Sequence, residues 1–97
     1  MIGRDYVFKT IDEERAYQEL LPQHSRERDA KTSIGDWLIY MEEHIKRAKK
    51  AVYNLQSYQA MCHIRKVGAL AVACMEYQPM VTRSEEEEAK MKGGFYE

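Results

Sequence analysis

The stretch Val67-Gly-Ala-Leu-Ala-Val-Ala-Cys-Met75 carries no charge and is small or apolar at every position. The residues before it have helical spacing, so it reads as the middle of a helix. A helix that is apolar all round must be covered all round. A chain of 97 residues has few elements for that task. Other helices must wrap it closely, or a second copy of the chain must cover what they leave. The expectation is an all-α oligomeric bundle with its functional site beside this helix.

Working outward, Ser57 is placed to cap a helix over about residues 58–77, which stops before Pro79. Met61, Ile64, Gly68, Ala71 and Met75 make its seam. Gly68 costs about 1 kcal/mol relative to alanine in a helix, but lets another backbone approach closely. Upstream, Ser33 with Asp36 three residues on starts a helix over about 34–55. Its apolar positions Ile34, Leu38, Met41, Ile45, Ala48, Val52 and Leu55 alternate spacings of four and three, a continuous seam for a partner helix. With a turn at Asn54-Leu-Gln-Ser57, the two helices should form an antiparallel hairpin.

Thr10 with Glu13 reads as a capping box for a short first helix over about 11–21, ended by Pro22. Residues 22–32 are polar and read as a loop. Residues 1–78 then form one helical domain, and 79–97 a charged tail. In the tail, Ser84 with Glu87 resembles a further capping box. Glu85–Glu88 at its start and Lys90 and Lys92 near its end suit the helix dipole, and Gly93-Gly94 stops it.

Net charge is −1, so no global field selects nucleic acid, anionic membrane or acidic substrate. The longest apolar run is far shorter than the ~20 residues that span a bilayer. Met1-Ile-Gly-Arg-Asp-Tyr6 has no apolar signal core, so a cytosolic location is expected. Cys62 and Cys74, on one helix, would be separated by about 18 Å of rise, too far to bond to each other. They fit a reducing compartment and lack the paired spacing of a zinc site.

Three constellations could carry chemistry. Glu42-Glu43 offers hard oxygen ligands for magnesium, but a complete site needs more carboxylates from a facing helix. That helix offers only Glu76. The plain alternative is a solvated pair making the bridges Glu42–Lys46 and Glu43–Arg47, each worth only about 0.2–0.5 kcal/mol. His44, Cys62 and His63 could bind a transition metal. Read from the hairpin, however, His44 and His63 fall at opposite ends unless a second subunit brings them together. Lys46, Arg47, Lys49, Lys50, Arg65 and Lys66, with Tyr53, form a basic patch that could meet phosphates or simply be a solvated face. Trp37 and Tyr40 could stack a base, although an aromatic at a seam is more often core or interface.

Asp12-Glu-Glu-Arg-Ala-Tyr-Gln18, Trp37 four residues before Met41-Glu42-Glu43, and Arg65-Lys-Val-Gly-Ala-Leu-Ala-Val-Ala73 together resemble the small phage and bacterial MazG-like proteins. The likeness covers about residues 8–78. It implies an all-α nucleoside triphosphate pyrophosphohydrolase fold and an obligate oligomer. The metal carboxylates would come from a Glu-Glu-x-x-Glu helix and a Glu-x-x-Asp helix. Glu42 and Glu43 match the first motif, and Lys46 breaks it. The second motif would fall at His63 and Lys66, where no carboxylate stands. A lysine ammonium repels Mg²⁺ and can satisfy Glu42 or Glu43 itself.

The expectation is therefore a non-catalytic accessory protein of phage or prophage type that needs no cofactor. It would bind a partner protein or a nucleotide through Glu42, Glu43, Lys46, His63 and Lys66. Its oligomer interface would involve Trp37, Leu38, Met41, Ile45, Ile64, Gly68, Ala71, Val72 and Met75. The first alternative is an active pyrophosphohydrolase with a rearranged magnesium site drawing on Glu76, Glu13 or Glu14. The second is a nucleic-acid-binding helical module using Lys46, Arg47, Lys49 and Lys50.

Overall fold

The fold was obtained as a computed structural model that describes residues 1–93. Described residues form five α-helices and one 3-10 turn, with no strand among them. These are α1 (Arg4–Glu19), the 3-10 turn Pro22–His24, α2 (Arg26–Lys31), α3 (Ile34–Tyr53), α4 (Ser57–Tyr77) and α5 (Arg83–Met91). No helix among the described residues is long and apolar enough to cross a membrane. Gly94, the second glycine of the expected stop signal, lies outside the described residues, as does the rest of 94–97.

Local chemistry explains most boundaries. Ser33 Oγ accepts from the Asp36 backbone N–H at 3.1 Å and opens α3. Ser25 Oγ caps α2 by accepting from Arg28 N, and Thr82 Oγ1 caps α5 by accepting from Glu85 N. The cap of α5 is therefore Thr82 and not Ser84. Ser57 caps nothing: it is the first residue of α4, and Gln56 before it gives no side-chain bond. Thr10 also lies inside a helix. Its hydroxyl donates to the Tyr6 carbonyl at 2.9 Å, the four-back bond that lets threonine sit in a helix interior. The first helix consequently starts seven residues earlier than residue 11, at Arg4. The stretch 22–32 is not an open loop, because Pro22 and Ser25 start two short helical pieces.

Helix α4 is the centre of the domain and packs against both α3 and α1. Near the turn, Ala48 and Ala51 meet Ala60. At the far end Trp37 meets Leu70 and Ala73, with Met41 and Cys74 packed on them. Helices α3 and α4 thus run past each other in opposite directions, and their close contacts are mostly alanine. On α4's other side Gly68 faces α1. A Cβ there would stand 3.2 Å from Ile11 Cδ1 and Cγ1, so the missing side chain is what lets α1 approach.

The uncharged run is only partly covered. Ala69, Leu70 and Ala73 are buried; Val67, Gly68, Ala71, Val72 and Cys74 are half-buried; Met75 is exposed. The expected seam of α3 also divides. Met41 and Ala48 turn inward, joined by Trp37 and Ala51 from outside that seam, whereas Ile34, Leu38, Ile45, Val52 and Leu55 are exposed. Apolar size misleads near the turn, where Ala48 and Ala51 face Ala60 while the larger Ile45 and Val52 lie outside.

Candidate functional site

A cleft of about 470 Å³ opens where α1, the 3-10 turn, α3 and α4 converge. Helix α1 supplies Glu14, Tyr17 and Gln18 to its wall, and the segment after it Leu21, Gln23 and His24. Helix α3 supplies Tyr40, Glu43, His44 and Arg47, and α4 supplies Lys66 and Leu70.

Its acids are already engaged. Glu14 is buried and accepts from Arg65 Nε at 2.6 Å. Glu43 accepts an ion pair from Arg47 Nη2, one turn on, at 3.4 Å. Glu76, the only carboxylate α4 was expected to offer, takes a bond from Arg15 Nε at 2.9 Å and does not line the cleft. Glu13 pairs with Lys9 on the outer surface of α1. The expected bridge Glu42–Lys46 does not form, and both residues are exposed outside the cleft. Among the described residues, no group of three or more His, Cys, Asp or Glu is arranged to hold a metal ion.

The basic groups are less engaged. Lys66 lines the cleft with no ion pair among the described residues. Arg47 uses one nitrogen on Glu43, which leaves other N–H donors of its planar fork open. Against expectation, His44 and His63 are neighbours. Their Nδ1 atoms stand 3.2 Å apart and their rings are tilted by 31°. The register explains this: Ala48 meets Ala60, so the helices fold about a point near residue 54, and His44 and His63 lie at similar distances from it. Burial lowers the pKa of both rings, and the nearby charges of Lys66 and Arg47 lower them further. For His44, the His63 ring adds to the lowering and Glu43 partly opposes it. Cys62 lines an apolar groove between α1 and α4, away from the cleft, so the candidate set His44, Cys62 and His63 is not assembled.

The cleft floor rests on a buried polar network that the sequence did not suggest. Arg15, 4% exposed, donates through Nη2 to Asp29 at 3.1 Å and through Nε to Glu76. Burial works against its charge, but the hydrogen bonds to Glu76 and Asp29 outweigh it and raise the pKa. Asp29, 1% exposed, also meets His24 Nδ1 at 3.3 Å. The His24 ring lies nearly parallel to Trp37, which is fully buried, and Tyr40 stands edge-on to both. Trp37, expected between subunits, is fully buried within its own chain, whereas Gly68 lies against Ile11 and is half-buried. Gln18, in the cleft wall, is 5% exposed, and its buried Oε1 has no hydrogen-bond partner among the described residues.

Of the five residues expected to bind a ligand, Glu43 and Lys66 line the cleft and His63 reaches it through His44. Glu42 and Lys46 do not take part, and Arg47 occupies the place expected of Lys46. Tyr17, Gln18, His24 and Tyr40 complete the wall. The helical spacing of Glu14, Tyr17 and Gln18 was the one signal that could have pointed to α1. A second, apolar groove of about 440 Å³ separates Tyr6, Val7 and Ile11 of α1 from Met61, Ile64 and Val67 of α4. Compared with protein-family models, curated proteins and solved structures, the chain matches none.

Proposed function

We propose that this chain is a non-catalytic binding protein whose cleft takes a nucleotide. The observation that carries this reading is the imbalance of the cleft: both lining carboxylates are held by arginines, whereas Lys66 and part of Arg47 remain open. Those cations suit phosphate oxygens. Tyr17 and Tyr40 offer aromatic surface for a base.

The resemblance to MazG-like proteins fits a nucleotide ligand and also supports a second reading, an active pyrophosphohydrolase. One observation favours it: Glu14 and Glu43 line the same cleft. Magnesium, however, would have to compete with Arg65 and Arg47 for them. One experiment separates the readings. Calorimetric titration with a nucleoside triphosphate, with and without Mg²⁺, is run beside an assay for pyrophosphate. Saturable binding without Mg²⁺ and without pyrophosphate supports the binding reading. Turnover that falls in Glu43→Gln replaces it with the enzymatic one.

Self-association belongs to the same proposal. The half-covered run 67–75 and the exposed Leu38, Ile45, Ile64 and Met75 offer apolar surface that a second copy would cover.

A further inference from the structure

We propose that α3 pairs with α3 of a second copy, antiparallel, about a two-fold axis passing beside Ile45. This rests on the self-association reading above and goes beyond it by fixing the surface, the direction and the register.

The argument begins with spacing. Leu38 and Val52 stand seven residues before and after Ile45, and all three are exposed in the single chain. Seven residues return a helix to the same face within about 20°. The stripe is therefore apolar and symmetric about its centre. It spans about 21 Å at the rise of an α-helix. A face that reads the same in both directions fits a reversed copy of itself, which is the requirement of a two-fold interface. In the antiparallel pair Ile45 meets Ile45, and Leu38 meets Val52 of the other copy.

The flanks give an independent argument from charge. On one side of the stripe Met41 and Ala48 face α4, so that flank is occupied within the chain. On the other side stand Glu42, three residues before Ile45, and Lys49, four after it. Neither makes an ion pair among the described residues. A two-fold axis across the helices keeps this flank on the same side in both copies. It brings Glu42 of each copy level with Lys49 of the other, giving two opposite-charge pairs at the edge of an apolar contact. Lys46 is a further step round the helix, about 100° from Ile45, and stays toward solvent. A parallel pair, with its two-fold axis along the helices, would instead put the Glu42 and Lys49 flanks of the two copies on opposite sides of the contact and form neither pair. The same geometry places both α4 helices on one side of the α3 pair, as in a four-helix bundle, and leaves the nucleotide cleft open.

Charge reversal tests the register. Glu42→Lys makes the flank all basic and Lys49→Glu makes it all acidic. Each variant alone should dimerise about tenfold more weakly than the wild type in sedimentation at low salt, since two attractive pairs become repulsive. An equimolar mixture should recover the dimer, because every contact is then complementary. Ile45→Glu should give a monomer with unchanged helical circular dichroism, since Ile45 is 42% exposed and its side is not part of the chain's own core. A mixture that dimerises no better than its components overturns the register. A wild-type dimer untouched by all three substitutions overturns this interface and leaves self-association standing through another surface. A monomeric wild type at micromolar concentration overturns both.

Discussion

His44 Nδ1 lies 3.2 Å from His63 Nδ1, so the two rings share a single hydrogen bond in which one N–H donates and the other nitrogen accepts. Protonating both rings would set two N–H groups against each other beside Lys66 and Arg47. Burial, and then the positive charge of Lys66 and Arg47, lowers the proton affinity of both rings.

That arrangement makes stability depend on pH. Both histidines titrate below their ordinary value of 6.5 in the fold, so the unfolded chain binds protons more readily. Their contribution is complete above pH 6.5 and is lost as pH falls through the lowered folded values. The midpoint of thermal unfolding should fall on acidification below pH 6.5. His63→Gln should flatten that dependence by removing one of the two titrating rings. A midpoint equally steep in the variant would assign the effect to other groups.

The Arg15–Asp29 pair predicts an asymmetric response to substitution. Both side chains are almost fully buried, at 4% and 1% exposed. Arg15→Met leaves Asp29 buried with only His24 as partner, and should cost about 3–5 kcal/mol in denaturant unfolding. Glu76 is half-exposed at its bond to the same arginine. Glu76→Gln should cost less than about 1 kcal/mol.

Gly68 sets the distance between α1 and α4. Gly68→Leu must displace Ile11, and should cost about 1–3 kcal/mol by overpacking despite the better helix propensity of leucine. Pairing it with Ile11→Ala should recover part of that loss. Equal stability of the single and double variants would place the strain elsewhere.

Much of the scaffold was legible in the sequence. Ser33 with Asp36 marked the start of α3, and Pro22 and Pro79 bounded the neighbouring helices. The faces were less legible. Spacings of four and three fit two adjacent stripes of α3, which share Met41 and Ala48. The larger residues pointed to Ile34, Leu38, Ile45 and Val52. The contact with α4 instead uses Trp37 and Met41 at one end and Ala48 and Ala51 near the turn, where alanine against Ala60 permits close approach. The cleft was legible only in part. Glu43 and Lys66 stood out as charges beside the apolar run. His24 and Asp29 lay in a polar stretch without periodicity, and only the fold sets them against Trp37 and Arg15.

The central claim is that Lys66 and Arg47 hold the phosphates of a nucleotide in a cleft whose acids are already paired. The most direct measurement is calorimetric titration of the wild type and of Lys66→Glu with a nucleoside triphosphate in the absence of divalent metal. The account predicts saturable binding by the wild type that weakens with salt, and at least a tenfold loss in Lys66→Glu. Equal affinity in the two proteins, or binding by the wild type only when Mg²⁺ is added, would contradict it.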